Sequence, residues 1–109
     1  MAKHEFGILA ETPRPGKIFD EYEPEKFNCI SIDDDYIYPL LEQLSELLFY
    51  WHSIDVPGRS LAYCGITLIP PETAKTMLNI TGQTNELNDL SDLLEKAVKA
   101  QVFVIHFGI

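Results

Sequence analysis

"IYPLLEQLSELLFYW", residues 37 to 51, is the most regular stretch of the chain, and its reading decides how many strands are left to form a sheet. Ile37, Leu40, Leu41, Leu44, Leu47, Leu48 and Trp51 recur every third or fourth residue, with Glu42, Gln43, Ser45 and Glu46 between them. That spacing lays apolar side chains along one face of an α-helix. Proline is tolerated in a first helical turn and biases the residue before it away from helical angles. The pattern therefore predicts an amphipathic helix that begins close to Pro39 and keeps Trp51 on its core-facing stripe.

Three adjacent carboxylates, Asp33, Asp34 and Asp35, precede this helix. A carboxylate there accepts hydrogen bonds from free backbone N–H groups and meets the positive end of the helix dipole, for about 1 kcal/mol. One aspartate is enough for that role. The triplet lacks the alternating D-x-D-x-D-G spacing of a calcium loop. The spare acids, with Tyr36 and Tyr38 beside them, are candidate contacts for a partner.

Working outward, "HEFGILA" (4–10) and "FNCISI" (27–32) read as strands, separated by the proline- and glycine-bearing "ETPRPGK". After the helix, "VPGR" carries the Pro-Gly pair of a type II turn. "SLAYCGITLI" (60–69) is apolar on both faces and reads as a central, covered strand. "PPETAKTMLNITG" has proline at its start and glycine at its end, the usual asymmetry of a helix. "TNELNDLSDLLEKAVKA" places Leu87, Leu90, Leu93, Leu94, Ala97 and Val98 on one helical face. "VFVIHFGI" closes the chain as a β-branched and aromatic strand. The expected order is ββαβααβ: an α+β fold with a mixed four-stranded sheet and helices mainly on one face. Glycine is followed by isoleucine at Gly7, Gly65 and Gly108, each in a presumed strand, where a glycine often marks a close approach by another element.

A chain of 109 residues fits a single compact domain spanning residues 1–109, and a 46% hydrophobic fraction is ordinary for a globular protein. No leader pattern or membrane-length apolar run is read, so the expected location is cytoplasmic, with no membrane partner. Net charge is −9. Between Asp20 and Glu46 stand Asp20, Glu21, Glu23, Glu25, Asp33, Asp34, Asp35, Glu42 and Glu46 against Lys26 alone, nearly the whole excess. Nucleic acid is disfavoured as a partner because phosphates need a basic face. A basic protein partner fits.

Candidate chemistry is sparse. Cys29 and Cys64 sit in apolar runs and read as reduced, packed thiols. His4, His52 and His106 show no metal-ligand spacing, so neither metal nor cofactor is expected. "WHSID" holds His52, Ser53 and Asp55 but no nucleophile elbow, and no catalytic residue is assigned. Should the strands converge, His52, Tyr63, Cys64 and His106 would line a pocket, with the cation Arg59 at its rim.

"YWHSIDVPGRSLAYCGITLIPP" and the "HFGI" ending resemble small uncharacterised bacterial cytoplasmic proteins of about this length. That resemblance implies a compact domain and no activity. The expectation is thus a non-enzymatic interaction or regulatory module that binds a basic protein through an acidic, tyrosine-rich surface. The alternative is a small enzyme or ligand-binding domain with a pocket near His52, Cys64 and His106. Self-association through an edge strand or an apolar helix face is a third expectation.

Overall fold

A computed structural model describes residues 2–109. Six strands, β1 (Lys3–Leu9), β2 (Ile30–Asp33), β3 (Leu48–Trp51), β4 (Pro57–Arg59), β5 (Ile66–Ile69) and β6 (Phe103–Phe107), form one sheet in the order β2-β1-β6-β5-β3-β4. Every pairing is antiparallel. The first and last strands of the chain lie side by side in the middle, with Phe6 opposite His106. The helical elements are α1 (Asp34–Ile37), a 3-10 turn (Tyr38–Leu40), α2 (Leu41–Leu44), α3 (Pro71–Thr81), a second 3-10 turn (Asn85–Leu87) and α4 (Asn88–Ala100).

Strand alternation divides the interior into two layers. On one face, Phe6, Ile32, Phe49, Ile69 and Val104 pack against Met77 of α3, Leu90 and Leu94 of α4, and Ile37 and Leu44 of the α1–α2 segment. On the other, Leu9, Ile66, Leu68, Ile105 and Phe107 are covered by Phe19 and Phe27 of the irregular segment that follows β1. The stretch 60–69 read as one covered strand is shorter in the structure: residues 60–65 are irregular, and β5 (Ile66–Ile69) is buried at all four positions.

The mixed four-stranded sheet is therefore corrected to an antiparallel six-stranded one, and the two added strands come from the stretch read as helix and turn. Helical geometry does run from Asp34 to Leu44, through a 3-10 turn that holds Pro39 near its start. It stops where the Ser45 hydroxyl donates back to the Glu42 carbonyl at 2.7 Å. Beyond this, Leu-Phe-Tyr-Trp is a run of apolar and aromatic residues in which a spacing of three or four is met by default, so periodicity carries no information there. Aromatic residues favour a pleated surface. As a strand they bury Phe49 completely and leave Leu48 40% and Trp51 36% exposed, the reverse of the helical expectation for Leu48 and Trp51. Trp51 lies instead across Gly58, where an added Cβ would stand 2.5 Å from the indole ring, and its Nε1 donates to the Ser60 carbonyl. "VPGR" is thus not a free turn but the short edge strand β4, where proline removes no sheet hydrogen bond.

The glycines do mark close approaches, made by irregular segments. A Cβ on Gly7 would lie 2.7 Å from the Phe27 carbonyl oxygen, and one on Gly65 would lie 2.9 Å from His52 Nε2.

Truncating Phe49 to alanine is expected to cost roughly 3–5 kcal/mol, against about 1 kcal/mol for Leu48→Ala, in urea or guanidinium unfolding. Equal costs, or the opposite ranking, would mean that residues 48–51 are helical.

Candidate functional site

The adjacent strands β1 and β6 place His4 and His106 on the helix-covered face, His4 two residues before Phe6 and His106 directly opposite Phe6. Both imidazoles are fully buried, stacked with centroids 5.1 Å apart, and His4 Nδ1 lies 2.9 Å from His106 Nε2. The contacts continue in both directions. His4 Nε2 is 2.8 Å from Asp34 Oδ1, Tyr63 Oη donates to Asp34 Oδ2 at 2.7 Å, and His106 Nδ1 is 3.2 Å from Thr67 Oγ1. The amide of Ala62 donates to the same threonine hydroxyl.

The protons on this chain are tightly constrained. A carboxylate only accepts, so His4 Nε2 carries a hydrogen. The contact between the rings holds one proton, on either side. With both rings neutral, Thr67 donates to His106, His106 to His4, and His4 to Asp34. Reversing the row would make Thr67 Oγ1 accept from both His106 and the Ala62 amide and leave its own hydrogen without an acceptor, so the inward direction is the one that satisfies every group. Protonating both rings sets two N–H groups against each other. Burial, with a smaller contribution from His4, lowers the His106 pKa to about 3. Hydrogen bonds from Tyr63 and then His4 hold the Asp34 carboxyl below the usual range, and the same Asp34 contact pushes Tyr63 up to about 12.

On the opposite face, at the same end of the sheet, lies a cleft of about 790 Å³. Lys3 and Glu5 of β1, Asp20 and Tyr22 of the covering segment, His52 and Cys64 contribute to its wall. The Tyr22 hydroxyl donates to the Glu5 carboxylate, and that bond raises the Tyr22 pKa to about 12. His52 Nδ1 donates to the Phe19 carbonyl at 2.8 Å, leaving Nε2 as acceptor toward the Ile66 amide at 3.4 Å. Both ring nitrogens therefore face the main chain, and the imidazole pins the covering segment to β5. Burial raises the Cys29 thiol to about 11, keeping it protonated.

The residues singled out from the sequence are distributed as follows. Asp33 caps α1, accepting from the Asp35 amide at 2.9 Å. Asp34 points inward with both oxygens engaged, while Asp35 is exposed. Tyr36 and Tyr38 are 44% and 60% exposed, and Tyr38 packs edge-on against Tyr63. His52 and Cys64 share the cleft wall. His106 and the Tyr63 hydroxyl belong to the hydrogen-bonded chain of the other face. Arg59 sits on the far edge strand and donates to the Glu46 carbonyl at 3.0 Å, away from the cleft. The part played by His4, Glu5, Asp20, Tyr22 and Thr67 is not visible in the sequence, because it depends on strand order. The one available signal is that His4 and His106 alternate with the core residues Phe6 and Val104.

Among the described residues, no group of three or more histidine, cysteine or acidic side chains is arranged to hold a metal ion. No described helix is long and apolar enough to cross a membrane. Compared with known proteins, the chain matches no family model, and no curated protein or solved structure is significantly similar to it.

The sign of the pH dependence follows from His106. Its folded pKa is depressed, so its contribution to stability is complete above the unfolded value of about 6.5 and is lost as pH falls toward about 3. Between pH 7 and 4.5 the protein is expected to lose roughly 2–3 kcal/mol from this group, read as a shift in the denaturant midpoint. His106→Gln is expected to be less stable at pH 7 and to have a flatter profile over that interval. An unchanged slope in the variant would remove His106 as the cause.

Proposed function

We propose that the protein is a non-enzymatic interaction module that binds a basic protein segment at the end of the sheet where the acidic cleft and the exposed tyrosines adjoin. The observation that carries this reading is the exposure of Tyr22, Tyr36 and Tyr38, at 65%, 44% and 60%, in the most acidic part of the chain. Tyrosine offers a large, stiff contact area with a polar tip and is enriched where interfaces are strongest. The two patches meet through Ala2 and Cys64. Ala2 lines the cleft and accepts from the Asp34 amide, and Cys64 lines it next to Tyr63, the neighbour of Tyr38. Asp35, with Glu5 and Asp20 in the cleft, supplies negative charge; Asp33 and Asp34 act instead by fixing α1. Acidic side chains at such a rim raise the association rate of a basic partner and favour it over acidic ones.

A second reading, a cleft for a small ligand, is favoured by the concavity next to His52 and Cys64 and falls within the roughly 300–1,000 Å³ of such sites. His52 is committed to the main chain, so this reading is one of binding rather than of acid–base catalysis.

An arginine-rich peptide titrated calorimetrically is expected to bind, more weakly as salt rises. Tyr36→Ala/Tyr38→Ala, both exposed positions, is expected to weaken it about ten-fold or more, and Asp20→Asn/Asp35→Asn to reduce the salt dependence. Affinity and salt dependence that ignore both pairs would overturn the assignment of this surface.

A further inference from the structure

At the other end of β1 the charge reverses. A groove of about 510 Å³ runs along residues 8–14 and is closed by Lys17, Phe19, Lys26 and Phe27. Its lining is largely apolar, with Ile8, Leu9, Ala10 and the buried Pro13 at the end of β1. Arg14, Lys17 and Lys26 stand around it against a single lining carboxylate, Glu11. These are three of the eight lysines and arginines in a chain of net charge −9. Lys17 Nζ lies 5.4 Å from the centroid of the Phe19 ring and Lys26 Nζ 5.5 Å from that of Phe27.

Acids flank the groove on two sides: Asp89 and Asp92, with Lys96, line a neighbouring hollow that shares Ile8, Ala10, Lys26 and Phe27, which leaves Arg14 and Lys17 as the cations away from them. Asp20, Glu21 and Glu23 lie on the far side of the wall made by Lys17, Phe19, Lys26 and Phe27. Among the described residues only Glu23 of these forms an ion pair, 3.9 Å from Lys26. Asp55 is bound to the Gly16 amide. Among the described residues Arg14 and Lys17 form no ion pair.

We propose that this groove binds an amphiphilic monocarboxylate: an aliphatic body against Ile8, Leu9, Ala10 and Pro13, and a carboxylate head toward Arg14 and Lys17. The volume lies in the range of small-molecule sites, and a mainly apolar lining with a few placed polar groups is their usual character. Charge selects an anion, since three cations converge where most of the chain would repel one. A planar aromatic or nucleotide base is disfavoured because each phenylalanine ring already carries a lysine near its face. The lining offers few neutral polar groups to read a sugar, Thr12 being the only hydroxyl-bearing side chain. An aliphatic chain needs none. The site is separate from the acidic cleft and does not depend on that cleft binding a partner.

Decanoate is the probe, titrated below its micellar concentration while backbone amide shifts are followed by NMR. Saturable shifts confined to residues 8–19 and 26–27 are expected, with acetate, decanol and decyltrimethylammonium all binding more weakly. Arg14→Gln/Lys17→Gln is expected to reduce decanoate affinity about ten-fold. Ala10→Asp, at an exposed position that places a carboxylate against the aliphatic body, is expected to abolish it. All three positions are exposed, so the fold tolerates the changes, which an unchanged amide spectrum away from the groove verifies. Equal binding of decyltrimethylammonium, shifts mapping to the acidic cleft, or affinity indifferent to these variants would each overturn the proposal.

Discussion

The two buried imidazoles at the centre of the sheet are the constraint around which the rest is arranged. His4 and His106 are 102 residues apart in sequence and 2.9 Å apart in space. Each sits on a fully buried strand position, where a polar group without a partner costs on the order of 1–3 kcal/mol. The cost is avoided only if β1 and β6 are neighbours, if β5 brings Thr67 beside β6, and if α1 brings Asp34 over the open nitrogen of His4. Register, strand order and the placement of a short helix are thus all coupled to one row of hydrogen bonds. No buried side-chain nitrogen or oxygen among the described residues is left without a partner.

This row also links the interior to the surface. Asp34 is the first residue of α1, and the same turn carries Asp35 and Tyr36 outward. A helix of one turn has almost no stability of its own. It holds its shape because Asp33 caps it from outside and Asp34 anchors it from within. The orientation of the exposed tyrosines is therefore set by a carboxylate–imidazole contact that lies beneath them. Of three aspartates that look equivalent in sequence, one caps, one anchors and one remains for solvent or a partner.

What was legible in the sequence was local, and what was missed was non-local. α3 and α4 were readable because proline, glycine and a sustained apolar face agree with one another, and Pro71–Thr81 and Asn88–Ala100 follow those signals. The strand at the end of the chain was readable from its β-branched and aromatic residues. The segment 48–51 was not, because four successive apolar residues satisfy every period. Phe49 enters the core only once β5 and β4 lie on either side of it. The site was hidden for a related reason. A pocket joining His52 to His106 assumes that both project from the same face, and the alternation of β6 sends His106 toward the helices while Phe107 faces the covering segment. Face assignment depends on register, and register is not written in any one strand.

The segment between β1 and β2 shows how an irregular stretch becomes a structural layer. It covers the sheet face that the helices leave open, and its main chain is satisfied piecemeal. Phe19 N–H donates to the His52 carbonyl, Cys29 N–H to the Pro24 carbonyl, and Lys17 N–H to the Arg14 carbonyl. Such a layer is held by its side chains, with Phe19 and Phe27 packed on the β5–β6 face. The gaps beside those two rings are therefore built into the architecture: two aromatic anchors cannot seal a sheet face as a helix would. The layer carries opposite charges beside its two hollows, Asp20 lining one and Arg14 and Lys17 the other, and Asp20 and Lys17 meet at a smaller hollow between them. Salt screens exposed charges from one another beyond about a Debye length, roughly 8–10 Å at ordinary ionic strength. Concave walls with apolar floors keep each potential local. A single acidic domain can in this way present two electrically distinct surfaces without an additional element of secondary structure.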